Sequence, residues 1–497
     1  MKMKIEKINI ANFLKENIFL LGIVFVGLLL RLFHLGKESI WVDEGFTYVL
    51  SKLTLSGYID NVLGTLRNIL PPLYFQLMHY WTSLFGYSEF SLRLPSVIFG
   101  TLSIWGIYIL GKEMFNKEVG KIAALILAFS LFHIQYSQEA RMYEMLSFLS
   151  IISFHFFIHF LKKRSWSSAL LFSCSNVMLV YTHHYGFFII ITEYLFLLAL
   201  FFSNRFHLKE NVKKLSIATV LFLTLIFPWL FIFINQLKKV YADPWLPVPT
   251  VQSLFKLLSS FSGGLTLFGI FIGIFLWRFV ITANEQRQLE SKENSEKRIY
   301  YELLLFWLIV PIVFSFLYSR FASPIFGDKY LIASSIPLYL LLAKSIESFK
   351  SIYVKCATVM IVIALSVTSI SAYFTTMQKE QWREATAYVE KNAQQNDLVL
   401  FNAGFGLQNG FGYYAKRNDI VTSAFPARTW QVNTLVTKDD FPELLQVTNN
   451  HQRVWVVYSH SHDTDDLINT KLSESYFGYD CTAFENINVC LFEKLQN

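Results

Sequence analysis

Ser39-Ile40-Trp41-Val42-Asp43-Glu44-Gly45-Phe46 sets two adjacent carboxylates beside a tryptophan, just after the first long apolar run at residues 18–35. Charge beside hydrocarbon is costly, and ionisable side chains at a membrane edge usually serve a function. The bland reading makes Asp43 the N-cap of a helix starting near Glu44. Capping accounts for one acid and leaves the other without a reason. The stretch therefore marks the edge of a membrane region and the place where chemistry is expected.

Working outward, 54% of the 497 residues are hydrophobic, 16% are charged, and phenylalanine alone occurs 49 times. That excludes a disordered chain and an ordinary soluble enzyme. The apolar residues come in blocks of roughly 18–22, the length that crosses a bilayer as a helix. The net charge of +7 does not point to nucleic acid, because Lys and Arg concentrate in alternate links between the blocks. Examples are Lys112, Lys117 and Lys121; Lys162, Lys163 and Arg164; Arg205, Lys209, Lys213 and Lys214; and Lys344, Lys350 and Lys355. Such links stay inside, which gives about 11 spans. Lys2, Lys4, Lys7 and Lys15 precede the first span with no evident cleavage site, so the N-terminus is expected in the cytoplasm. The expectation is a multi-pass protein of the cell membrane.

A membrane domain is expected over residues 1–373 and a soluble, extracytoplasmic α/β domain over 374–497. The first outer loop, 36–92, is apolar enough to carry surface helices near 46–53 and 73–85. Pro71-Pro72 suits the start of the second. In the soluble domain, helices are expected at 381–391 and 465–474. Strands are expected at 397–402 and 453–459, with two more around Asn486-Ile487-Asn488. Cys174 and Cys356 lie in apolar runs and read as free core thiols. Cys481 and Cys490 fall outside, where a bridge or two separate thiols are both open. Gly404-Phe405-Gly406 with Gly410 hints at a dinucleotide turn, but the third glycine is misplaced.

Other polar residues gather on outer turns. Arg93 could snorkel or pair with the first-loop acids. Tyr136, Glu139 and Arg141 could line a sugar site or belong to an interfacial belt. His183 and His184 could touch substrate, or join Asp43 and Glu139 around a divalent ion, although the sequence demands no cofactor. Arg320, Lys329 and Tyr330 sit on the last outer turn, where fixed positive charge could meet a phosphate.

These residues lie in stretches that resemble the GT-C glycosyltransferases, in the family 39-like branch of protein O-mannosyltransferases and lipid A aminoarabinose transferases. The matching stretches are Trp41-Val42-Asp43-Glu44, Pro71-Pro72-Leu73-Tyr74, Leu92-Arg93-Leu94-Pro95-Ser96, Tyr136 to Tyr143, Thr182-His183-His184-Tyr185-Gly186 and Lys329-Tyr330-Leu331. The resemblance implies a polyprenyl-phosphate sugar donor embedded among membrane lipids. It also implies an acceptor on a glycan, lipid or protein, transfer on the outer face, and inversion at the anomeric carbon. It makes Asp43 and Glu44 the catalytic pair, Asp43 leading, and Trp41 part of the substrate site. Leu70 stands where many relatives have His, and Lys329 where many have Arg. A lipid-linked glycan transporter or polymerase is the rival reading, but no internal repeat or interrupted span supports it.

Overall fold

The computed structural model describes residues 10–65, 70–203, 212–240, 246–285, 292–427, 435–460, 463, 465–478 and 481–495. Lys2, Lys4, Lys7, Arg205 and Lys209, used above to orient the chain, lie outside those residues.

Every expected span falls on helical residues, but the third, at 122–134, is interrupted at 129–130, where the sequence reading saw no interrupted span. α1 (Ile10–Leu32) leads into three helices of the first loop, α2 (Val42–Ser51), α3 (Leu55–Thr65) and α4 (Pro72–Phe85). Then follow α5 (Glu89–Met114), α6 (Lys117–Ala128), α7 (Leu131–Ser137), α8 (Tyr143–Lys163), α9 (Trp166–Thr182) and α10 (Gly186–Phe202). The membrane part closes with α11 (Val212–Val240), α12 (Val251–Ser262), α13 (Leu265–Glu285), α14 (Lys292–Phe321), α15 (Ser335–Glu347) and α16 (Ile352–Thr375). Among the described residues six helices are long and apolar enough to cross a membrane, or eight if each of two bent pairs is one span. The bent pairs are α6–α7, at 60°, and α12–α13, at 89°. The remaining expected spans are α9 and two shorter apolar helices, Asn17–Leu32 and Gly186–Phe202.

The α6–α7 break matters for the site. A broken helix strands backbone carbonyls, and stranded carbonyls in an apolar setting need donors. Arg31, fully buried at the end of α1, supplies them: its guanidinium reaches the carbonyls of Leu127 and Ala128 at 3.2 Å and Ser137 Oγ at 3.1 Å. Gln138 then donates back to the Arg31 and Phe33 carbonyls at 3.0 and 2.6 Å. The turn carrying Glu139 and Arg141 is thereby fixed to α1.

The first loop differs from expectation in two ways. It holds a third helix, α3, whose Gly57 and Gly64 lower its intrinsic helix preference. And α2 does not lie on a lipid surface. Val42, Glu44, Gly45, Thr47 and Leu50 are all buried, between the membrane helices and the C-terminal domain. Thr47 donates to the Ala140 carbonyl at 2.7 Å. A Cβ on Gly45 would come within 2.1 Å of the Asn409 carbonyl oxygen, so the close approach of α2 to the C-terminal domain needs glycine there. α4 keeps the surface character, with Tyr80, Leu84 and Phe85 exposed.

The C-terminal domain contains α17 (Trp382–Asn392), the one-turn α18 (Gly412–Tyr414), α19 (Phe441–Thr448) and α20 (Leu467–Leu472). Its strands are β1 (Leu398–Phe401), β2 (Val421–Ala424), β3 (Arg453–Tyr458), β4 (Tyr476–Gly478), β5 (Thr482–Phe484) and β6 (Ile487–Lys494). The sheet order is β2-β1-β3-β6-β4, with β5 also on β6. β1 runs parallel to β2 and β3, and β6 antiparallel to β3. Alternate residues of β1 and β3 feed opposite faces, as period-two strands must. Val399, Phe401, Trp455 and Val457 pack with Trp382, while Leu398, Leu400, Val454 and Val456 pack with Leu444 and Ile468. Val42 of α2 joins the first of these cores, so the C-terminal domain and the first loop share hydrophobic packing. Cys481 and Cys490 are bridged. Cys174 and Cys356 are free, but exposed on their helices, not in the core. In a bilayer the outer face of a span is as apolar as its inner face, so an apolar run does not tell them apart. The glycines at 404–410 form no nucleotide turn; a Cβ on Gly410 would meet the Trp382 ring at 2.3 Å.

Candidate active site

α2 opens at Trp41, whose side chain makes no cap, so Asp43 lies inside the first turn and is not the N-cap. The two acids then diverge, because neighbours in sequence point about 100° apart on a helix.

Glu44 turns inward and is fully buried. Arg93 grips it with two bonds, Nε to Oε1 at 2.8 Å and Nη2 to Oε2 at 2.7 Å. The Ala140 backbone N–H and Lys379 Nζ add bonds to Oε1 at 2.9 and 3.0 Å. Burial pushes the Glu44 pKa up, but Arg93 and Lys379 outweigh it and bring it down to about 2. Arg93 also donates to the carbonyls of Leu35, Glu38 and Ser39 at 2.8–2.9 Å. It orders the acidic loop rather than snorkelling, one of the two roles open to it in the sequence.

Asp43 turns outward. Its Oδ2 meets Lys329 Nζ at 2.9 Å, and the two side chains remain 28% and 23% exposed. Burial raises the Asp43 pKa, yet Lys329 and Arg141 hold it below the usual carboxylate value. Lys329 sits among aromatic faces, 5.5 Å from Trp41, 5.7 Å from Tyr143 and 5.5 Å from Tyr330. This cage suits a cation.

Around the pair lie the other expected residues. Arg141 donates from Nη1 to the Asp43 backbone carbonyl at 3.0 Å. Tyr136 packs edge-on against Tyr143, ring centroids 5.5 Å apart. Tyr330 stacks on His183 at 5.4 Å. His183 Nδ1 accepts from the Tyr185 N–H at 3.1 Å, so the ring proton sits on Nε2. Burial first, then His184, Arg141 and Lys329, keep its pKa well below 6.5, so the ring is neutral. Glu139 is nearly buried, and its Oε2 has no hydrogen-bond partner among the described residues. Burial lifts its pKa to about 7, with Lys379 and Lys329 opposing the rise.

Two residues stand apart. His184 faces away, with its ring 4.4 Å from Phe233 and 6.0 Å from Trp229. Arg320 reaches toward the Pro249 carbonyl, at 3.5 Å.

Sequence reasoning missed Lys379, which bonds both Glu44 and the Gln138 carbonyl, the latter at 2.8 Å. It also missed the ties from the C-terminal domain to the loop. Arg383 holds Glu89 at 2.7 Å, and the Tyr414 hydroxyl takes the Ile40 N–H at 2.7 Å. His460 pairs with Glu380 at 3.1 Å. No local motif marks these residues. The signal available was an unusual lysine at the very start of the soluble segment.

A family model described as dolichyl-phosphate-mannose-protein mannosyltransferase matches residues 70–232. The chain is similar in structure to ArnT from Cupriavidus metallidurans bound to undecaprenyl phosphate, at TM-score 0.58 and 12% identity, over 96% of this chain and 98% of that one. It is also similar to the Archaeoglobus fulgidus oligosaccharyltransferase in the apo form, at TM-score 0.56 and 13% identity, over 94% of this chain and 74% of that one. The archaeal oligosaccharyltransferase AglB from Archaeoglobus fulgidus, in complex with an inhibitory peptide and a dolichol-phosphate, gives TM-score 0.55 at 13% identity, over 95% and 74% of the two chains. No curated protein matches by sequence.

Proposed function

We propose that this chain, which has the GT-C membrane glycosyltransferase fold, transfers a sugar from a polyprenyl-phosphate donor to an acceptor hydroxyl on the outer membrane face. The observation that carries the reading is the Asp43–Lys329 pair, accessible, caged by aromatic rings and backed by the buried Glu44–Arg93 clasp. The structurally similar proteins recorded with undecaprenyl phosphate and dolichol-phosphate support the class of donor.

The donor phosphate brings negative charge to a site where Lys329 can meet it as a point charge. Sharing Lys329 with phosphate weakens its hold on Asp43, whose carboxylate then becomes more basic. The acceptor oxygen attacks the anomeric carbon from the face opposite the phosphate. The carbon–phosphate oxygen bond breaks, its electron pair leaves with the lipid phosphate, and the acceptor proton passes to Asp43. Inversion follows from this single displacement. The transition state resembles an oxocarbenium ion, as in glycoside hydrolysis. Glu139, titrating near neutrality, can give or accept a hydrogen bond at a sugar hydroxyl, and Tyr136, Tyr143 and Tyr330 form an aromatic wall.

Lys329→Met tests the donor assignment. Loss of a charged hydrogen bond is worth about 1.5–3 kcal/mol, so donor affinity should fall roughly 10- to 100-fold. Lys329→Arg should recover most of it. Arg320→Met, far less engaged, should leave affinity near wild type. Unchanged donor binding in Lys329→Met would overturn the assignment.

The orientation has its own test. In a background lacking Cys174 and Cys356, a cysteine at Ser473 should react with an impermeant maleimide on intact cells. One at Lys350 should react only after permeabilisation. The reverse pattern would place the acidic pair on the wrong side for an outer-face donor.

A further inference from the structure

The other end of the bundle holds a second group of coordinating side chains. Glu113 is one residue from the end of α5, and His155 and His159 lie near the end of α8. From Arg93 to Glu113 the helix rises about 30 Å, so this group sits opposite the Asp43 site.

We infer that Glu113, His155 and His159 form a site for a divalent transition cation of the zinc class, which clasps α5 to α8. His155 and His159 are four residues apart and share one helix face, with ring centroids 4.5 Å apart. Glu113 faces both: Oε2 lies 2.9 Å from His155 Nδ1, and Oε1 3.3 Å from His159 Nε2. One atom from each residue fits within a 4.8 Å span. Tetrahedral zinc, with bonds of about 2.0–2.2 Å, spaces its ligands about 3.3–3.5 Å apart, so small rotations seat the ion.

A second observation points the same way. Glu113 Oε2 and His155 Nδ1 pair at 2.9 Å, and a cation would take the place of the proton between them. Their lone pairs converge, as metal ligands do. Two imidazoles and one carboxylate favour zinc-like ions over calcium or magnesium, which prefer all-oxygen shells. The three side chains remain 15–27% exposed, which leaves a fourth position for water.

Lys162 is the competing charge. Its Nζ lies 3.5 Å from Glu113 Oε1 and 3.4 Å from the Glu113 carbonyl. That side chain is 42% exposed and 5.3 Å from the Tyr300 ring centroid, so it can swing into water when a cation binds. Because α5 and α8 carry Arg93 and Tyr143 at their opposite ends, the clasp steadies the two helices that frame the active site.

The test uses tag-free full-length protein in nanodiscs, titrated with zinc against a chromophoric chelator and with cobalt by visible absorption. Wild type should bind one tight equivalent, and cobalt should give the intense bands of a tetrahedral site. Losing a hydrogen-bond partner of a metal ligand costs about 10- to 100-fold in metal affinity, so losing the ligand itself in Glu113→Gln or His159→Gln should exceed that. Lys162→Ala should bind zinc at least as tightly as wild type. Zinc should raise the melting temperature of wild type and not of His155→Ala/His159→Ala. Zinc binding that is absent in wild type, or undiminished in both Glu113→Gln and His159→Gln, would overturn the site. Asp43→Asn should leave the titration unchanged, which separates this site from the catalytic one.

Discussion

Asp43→Asn is expected to yield a folded protein that still binds donor and turns over roughly 10²- to 10⁴-fold more slowly. Asparagine keeps the size of the side chain and can still accept a hydrogen bond from Lys329. It cannot take a proton from an acceptor hydroxyl at neutral pH. The helix-cap reading makes the opposite forecast, since Asn and Asp cap about equally well. The structure already weakens that reading, because α2 starts at Val42 with Trp41 at the cap position. The measurement is single-turnover sugar transfer at saturating donor, alongside donor affinity and thermal stability. A well-folded Asp43→Asn protein with near-wild-type transfer would remove Asp43 from the chemistry.

Glu44→Gln should act differently, mainly on stability. Glu44 is fully buried and neutralises Arg93 and Lys379 at once. Removing one partner of a buried ion pair leaves an uncompensated charge and costs about 3–5 kcal/mol. The loop from Leu35 to Ser39 and the seat of the C-terminal domain should loosen together. The sign of the pH dependence follows from the lowered pKa. Glu44 stabilises the fold fully above its ordinary value of 4.5, and the contribution fades as pH falls toward about 2. Glu44→Gln should therefore lose most stability near neutral pH and little near pH 2. A variant as stable as wild type but devoid of transfer would return Glu44 to the reacting pair. The adjacent acids, read in the sequence as partners in catalysis with Glu44 in support, are in this account divided between chemistry and architecture.

The two acids show how far the sequence could be read. Their place after the first apolar run, and the basic links alternating along the chain, set out the membrane architecture. Block length and Lys/Arg bias are local properties. Asp43 and Lys329 both lie in short motifs, so the resemblance put each in the site, but their mutual contact across most of the chain was not read. Lys379 had no such help. It stands 335 residues from Glu44, in a segment that reads as a plain domain junction. Arg31 was equally hidden, because its task depends on the bend between α6 and α7. Long-range partners of buried charges are set by tertiary packing, and no periodicity announces them. The same blindness placed Cys174 and Cys356 in the core, where a lipid-facing surface and an interior look alike. It also set α2 on a membrane surface, when the C-terminal domain covers it.

The most direct test of the central claim offers purified protein a panel of synthetic polyprenyl-phosphate sugars and follows lipid phosphate by mass spectrometry. With a cell-envelope extract as acceptor, wild type should convert one donor to free polyprenyl phosphate and a glycosylated product of inverted anomeric configuration. Asp43→Asn should leave that donor intact. Wild-type protein that binds the donors yet releases no polyprenyl phosphate from any of them would contradict sugar transfer as the function of this site.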